Sequence, residues 1–176
     1  MRAHAPGSLT GIYAPPPQHD PEAASRGASV AVEDGVTVAV EPADETVVVL
    51  EGERVSMAPV EGLLAELGVS ASVALDPDVP IGHGFGASGA ATLATALAAN
   101  AEFGLGHDRE TLLGMAHRAE LAAGTGQGDV FVQARGGFCW SGSDGGRRRA
   151  VEGDLEWTSR GPIDTEAVLA DADFRE

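Results

Sequence analysis

Residues 80–92 read PIGHGFGASGAAT, with four glycines inside eight positions. They run directly into LATALAANAEF, where eight of eleven residues are apolar. Glycine is costly to order and poor in a helix. A glycine cluster at the mouth of an alanine-rich helix therefore marks a turn whose backbone must approach something closely. Such a turn leaves several backbone N–H groups without helical partners. They point the same way, and the helix dipole adds about half a positive charge there. That arrangement suits a phosphate chain, and Ser88 could offer a hydroxyl to a phosphate-bound Mg²⁺. The same residues would also serve a tight loop that only packs helix against strand. The glycines do not follow the G-x-G-x-x-G dinucleotide pattern with an acid after a second strand.

A second feature is Ala116–Gly137, AHRAELAAGTGQGDVFVQARGG. Glu120 lies on the Leu113/Ala116 side of a helix whose other residues there are small and apolar. A carboxylate on that face needs a partner or a cation. Asp129 follows nine residues later, after three glycines. One carboxylate could hold Mg²⁺, which prefers oxygen ligands and keeps several waters. The other could accept a proton from an attacking hydroxyl. Alternatively, Glu120 pairs with Arg118 or another arginine, and Asp129 merely caps the turn. A phosphate cradle, a hydroxyl, a metal carboxylate and a base carboxylate together form a set for phosphoryl transfer, where catalysis is mostly positioning and charge neutralisation.

The first half of the chain predicts strands. Ala28–Glu33 and Val36–Glu41 flank Asp34-Gly35, a hairpin signal. Thr46–Glu51 and Ser70–Leu75 are further β-rich runs, and Pro59–Leu67 reads as a short helix stopped by Gly68. The second half predicts helices at Ser88–Phe103 and after Asp108, an N-cap with Glu110 well placed for the dipole. Leu112, Leu113, Ala116, Ala119 and Ala123 recur there at helical spacing. Val130–Gln133 and Phe138–Ser141 read as strands, Gly142–Arg149 as a polar turn with a solvated RRR, and Asp164–Leu169 as the start of a new helical element.

The 176 residues suit about one domain. No apolar run approaches a membrane span and the N-terminus lacks a signal-peptide core, so the expectation is a soluble cytoplasmic protein. There are 27 acidic against 11 basic residues, a net charge of −16, and every basic residue is arginine. The excess suits either a protein that repels nucleic acid and acidic membranes or, as we favour, a surface adapted to high salt, where the Debye length falls to about 3 Å at 1 M. Both argue against nucleic acid and membrane as partners. Without lysine there is no Walker-type phosphate loop and no Schiff base. The single Cys139 excludes an intrachain disulfide, and its GGFCW setting predicts a buried small hydrophobe.

At this point the residues resemble the GHMP small-molecule kinases. Their central motif is a proline, three residues, then Gly-Leu-Gly-Ser-Ser-Ala-Ala. Here it stands as Pro80-Ile81-Gly82-His83-Gly84-Phe85-Gly86-Ala87-Ser88-Gly89-Ala90, with Phe85 for leucine, Ala87 for the first serine and Gly89 for the first alanine. The N-terminal motif is present in outline as Ala5-Pro6-Gly7-Ser8-Leu9-Thr10-Gly11. Within the superfamily the stretches PGSLTGIY, SRGASVAVEDGVTVAV, GFGASGA and AHRAELAAGTGQGDV look closest to the archaeal pantoate kinases.

The resemblance implies an α+β N-terminal domain of the ribosomal-protein domain-2 type, with a mostly antiparallel sheet backed by helices, over residues 1–160. Residues 161–176 would begin a C-terminal domain that closes the cleft. It implies ATP and Mg²⁺ as cofactors and pantoate as the alcohol phosphorylated, a step toward coenzyme A. Pro80 and Gly84 to Ala90 (Gly84, Phe85, Gly86, Ala87, Ser88, Gly89, Ala90) would wrap the ATP phosphates. Ser88 and Glu120 would bind Mg²⁺, and Asp129 would be the base. Ser25, Arg26 and Gly27 would meet the acid substrate, Arg26 through two parallel bonds to a carboxylate, or else as a plain surface arginine. A homodimer, which family members often form, or a separate C-terminal half would be the protein partner. The chain stops where the second domain should begin, so truncation, a split gene or a remnant are all expected possibilities. Other open functions are phosphorylation of mevalonate, homoserine or a shikimate-like alcohol, and a silent nucleotide-binding half that needs a partner chain.

Overall fold

The computed structural model describes residues 1–14, 26–126, 128–142, 145–151, 153 and 161–162. In chain order the elements are β1 (Arg2–Ala14), β2 (Arg26–Pro42), β3 (Val47–Leu50), β4 (Glu53–Val55), α1 (Ala58–Leu67), β5 (Ala71–Pro77), α2 (Ala87–Glu102), α3 (Arg109–Ala123), α4 (Asp129–Arg135), β6 (Phe138–Gly142) and β7 (Gly145–Arg149). The sheet runs β4-β3-β5-β2-β6-β7, with β1 along β2. β5 pairs with the Val36–Pro42 end of β2 and β6 with its Gly27–Val30 end. One long strand thus carries two partners end to end. Every ladder is antiparallel except β3 with β5.

Alternation builds the core. Val36, Val38 and Val40 of β2 have no exposed surface, and Val73 of β5 joins them. The β-branched side chains suit a pleated, half-buried surface. α2 packs against β2 and β1. It is buried nearly all round, from Ala90, Ala91 and Ala94 to Ala96, Ala98 and Ala99. A helix apolar on every side belongs in a core, and alanines let it lie close to the sheet. Of its two buried threonines, Thr95 Oγ1 donates to Ala91 O on the preceding turn at 2.7 Å, and Thr92 Oγ1 lies 3.0 Å from Ser88 O. Asp108 caps α3, accepting from the Thr111 amide at 2.8 Å. Leu112, Leu113, Ala116 and Ala119 are buried, as predicted, while Ala123 is only partly covered.

Three sequence expectations fail. Asp34-Gly35 is not a hairpin turn, because β2 continues through it. Pro6 pairs with Gly35 and Gly7 with Val32, so Glu33 and Asp34 bulge out of the ladder. A Cβ on Gly35 would come within 2.1 Å of Ala5 O, which explains the glycine. The dipeptide serves close approach of two strands instead of chain reversal. Val130–Gln133 is helix, not strand. Its buried residues, Val130 and Gln133, are three apart, as a helical face requires, and packing overrides the β-propensity of Val-Phe-Val. Finally, Gly145–Arg149 of the expected polar turn is a strand on β6. It lies at the sheet edge, where a row of arginines discourages further pairing. Cys139 is partly buried, its thiol reaching Gly136 O at 3.6 Å. The expected helix at Asp164–Leu169 lies outside the described residues.

Candidate active site

The glycine turn does what its composition suggests. Gly82, Gly84 and Gly86 have φ of 79°, 83° and 64°, a region L side chains avoid. Pro80 leads into it and Phe85 plugs it into the core with 4% exposure. Gly86 is the N-cap of α2, and no side chain caps the helix. The first helical bond runs from Ala90 N to Gly86 O at 3.0 Å. The amides of Ala87, Ser88 and Gly89 therefore have no acceptor within the helix.

One strand and two helices bring the carboxylates to this turn. β1 is tied to it through Ser8 N, which donates to Phe85 O at 2.9 Å. Ser8 Oγ, on a residue 1% exposed, donates to Asp129 Oδ1 at 3.3 Å. Asp129 is the first residue of α4, where a negative charge suits the dipole. Glu120, on α3, is 2% exposed. Its Oε1 accepts from Ser88 Oγ at 2.9 Å and Thr92 Oγ1 at 2.7 Å, and its Oε2 from Thr125 Oγ1 at 2.8 Å. A Cβ on Gly126 would lie 3.0 Å from Glu120 Oε2 and 3.6 Å from Asp129 Oδ2. Both carboxylates thus face Gly126, where a side chain would crowd Glu120.

Neither carboxylate has a cation among the described ion pairs. Arg118, the alternative partner for Glu120, instead pairs with Glu66 at 2.5 Å. Burial pushes the Glu120 carboxyl above its ordinary range. The hydroxyls of Thr92, Thr125 and Ser88 pull it back in part, and the charge of Asp129 raises it further. Burial also raises Asp129, against the lowering effect of the Ser8 and Thr10 hydroxyls. Such a group is a stronger base than a free carboxylate once ionised.

Ser88 Oγ and Glu120 Oε1, joined by a hydrogen bond, are oxygen donors of the kind magnesium prefers. Among the described residues no group of three or more His, Cys, Asp and Glu gathers to hold a metal. A cation here would complete its shell with phosphate and water.

The turn, Ser88, Glu120 and Asp129 are thus brought together. Arg26 is not. On β2 it alternates with Gly27 and Ser29, and Ser29 Oγ meets Thr10 Oγ1 at 2.9 Å on the side of Asp129. Arg26 projects from the other face and is exposed. Gly27 donates its amide to Ser141 Oγ at 3.1 Å. Ser25 lies outside the described residues. Sequence reasoning missed the supporting hydroxyls of Ser8, Thr10, Thr92 and Thr125. Ser8 and Thr10 sit in the PGSLTG motif, but nothing in the sequence links them to Asp129, which lies 121 residues beyond Ser8.

Residues 56–137 match the family model described as GHMP kinases N terminal domain. A curated pantoate kinase of Methanospirillum hungatei is 32% identical over 188 residues, covering 99% of this chain and 65% of that protein. A solved structure described as a phosphotransferase related to the CoA biosynthesis pathway superimposes with a TM-score of 0.70 at 28% identity, over 89% of this chain and 57% of that one. The mevalonate kinase of Methanococcus jannaschii shares the fold, with a TM-score of 0.64 at 14% identity, over 87% of this chain and 56% of that one. The chain therefore spans less than two thirds of these relatives. No described helix is long and apolar enough to cross a membrane.

Proposed function

We propose that this chain, whose residues 56–137 match the GHMP kinases N terminal domain model, is the nucleotide-binding part of an ATP-dependent kinase that phosphorylates the hydroxyl of pantoate. The observation that carries the reading is the convergence of Glu120 and Asp129 on the glycine turn, Glu120 through Ser88 Oγ and Asp129 through Ser8, whose amide holds Phe85 O. The similarity to the pantoate kinase favours that acceptor over other alcohols.

In this reading the amides of Ala87, Ser88 and Gly89 bind phosphate oxygens, aided by the dipole of α2. Ser88 and Glu120 would hold magnesium, which when bound neutralises charge on the phosphates. Asp129, held by Ser8, takes the proton from the attacking hydroxyl, and the oxygen so freed attacks the terminal phosphorus. The bond to the leaving diphosphate breaks and ADP departs. The acid-rich, lysine-free surface suits work at high salt.

A coupled assay of ADP release in molar salt tests the whole reading. Pantoate should outpace mevalonate and homoserine by at least about tenfold in kcat/KM. Equal rates would reassign the acceptor. Nucleotide binding with no turnover of any alcohol would leave a silent binding domain.

Ser8 gives a separate prediction. Its hydroxyl lowers the pKa of Asp129, and turnover needs Asp129 ionised. Ser8→Ala removes that support, so the acid limb of the kcat/KM profile should move to higher pH. An unmoved limb, or one shifted down, would show that the hydroxyl does not tune the base.

A further inference from the structure

Gln133 is buried at 3% exposure, on a short helix, and the chemistry above does not use it. Its Nε2 donates to Gly86 O at 2.7 Å. That same carbonyl accepts the first helical bond of α2, from Ala90 N. Its Oε1 has no partner. The side chain cannot be turned over to cure this, because Oε1 would then face Gly86 O, two acceptors in contact. Fold stability alone would favour an apolar residue here, since a buried acceptor without a donor carries a desolvation penalty.

Two further observations place this amide. Gln133 lies four residues after Asp129 on α4, so the two share a helix face one turn apart. A Cβ on Gly89 would come within 2.9 Å of Gln133 Oε1 and 3.3 Å of Val130 Cγ1. Gly89 is the position where the family motif has alanine. Its backbone is ordinary helix, with no positive φ that would call for glycine. The glycine is explained by the space the glutamine fills.

We propose that Gln133 is a positioning residue that ties the base helix to the phosphate turn, and that Gly89 is its required counterpart. The bond to Gly86 O fixes where α2 begins, and so where the amides of Ala87 to Gly89 stand relative to Asp129. A methyl on Gly89 would push the glutamine aside and break the tie. This rests on the nucleotide-binding reading above.

The test measures MgATP affinity and melting temperature for the parent, Gln133→Leu, Gln133→Ala, Gly89→Ala and the Gly89→Ala/Gln133→Ala double variant. Gln133→Leu keeps the volume, removes the unpartnered acceptor and cuts the tie. It should melt no lower than the parent yet bind MgATP about tenfold more weakly. Gly89→Ala alone should weaken MgATP similarly and lower the melting point by at least about 4 °C. In the Gln133→Ala background the same substitution should be neutral or raise it, because alanine outranks glycine inside a helix. A parent that binds MgATP beside a Gln133→Leu variant within about twofold of it would overturn the positioning role. Gly89→Ala costing the same in both backgrounds would overturn the pairing, whether or not nucleotide binds. A parent that binds no nucleotide sinks the functional reading and the positioning role with it.

Discussion

Asp129→Asn is expected to lower turnover at least about a hundredfold, the low end for loss of a positioned base. Asparagine keeps the size of the side chain and an oxygen that can still accept from Ser8 Oγ, as Asp129 Oδ1 does at 3.3 Å. It removes only the basic oxygen. The geometry around the turn should survive, because Phe85 O is held by Ser8 N and Gly86 O by Gln133, neither of which changes. MgATP affinity should therefore stay within about threefold of the parent while kcat collapses, the signature of an interaction needed only in the transition state. The neutral side chain also relieves the burial that raises the Asp129 pKa, so the variant should melt at or above the parent at neutral pH. A variant as fast as its parent would remove Asp129 from the mechanism. Equal loss of kcat and nucleotide binding would mean that the substitution disturbed the turn instead.

The features that could be read from the chain alone are those whose signal is local. The alanine helix after the glycine turn, the Asp108 cap and the Gly68 stop each follow from residues within one or two turns, and each stands where expected. Glu120 could be singled out because a carboxylate on an apolar helix face is anomalous whatever surrounds it. What was illegible depends on distant partners. Asp34-Gly35 carries the same local signal for a hairpin as for a bulge, and only the pairing of β1 along β2 decides between them. Val-Phe-Val favours a strand until α4 is packed between β1 and α2. Ser8 matters only because β1 delivers it to Asp129, and Gln133 only because α4 delivers it to Gly86. Arg26 shows the converse. Its residue type suits a carboxylate, but strand alternation turns it to the far face.

Glu120→Gln should move stability and function in opposite directions. Burial raises the Glu120 pKa, so the folded protein holds this proton more tightly than the unfolded chain does. That stabilisation is complete below the unfolded pKa, the ordinary carboxylate value. It fades as pH rises through the elevated folded value. When ionised, Glu120 is thus a buried charge supported by three hydroxyls and, among the described residues, no cation. Glutamine removes the charge and keeps an oxygen for Ser88 and Thr92, while the Thr125 hydroxyl can reverse and accept from the new amide. Without nucleotide, the variant should melt above the parent at pH 7, and the gap should close as pH falls toward the unfolded pKa. Its response to magnesium should go the other way. Neutral glutamine is a weak ligand for a hard cation, so MgATP should stabilise the variant far less. Turnover at limiting Mg²⁺ should fall by at least the roughly 10- to 100-fold that losing a supporting group costs at a metal centre. Calorimetric melting with and without MgATP at two pH values separates the two effects. A variant that melts lower than the parent at pH 7 would mean that the carboxylate is a structural anchor. One that keeps the parent's full response to magnesium would place the ion elsewhere.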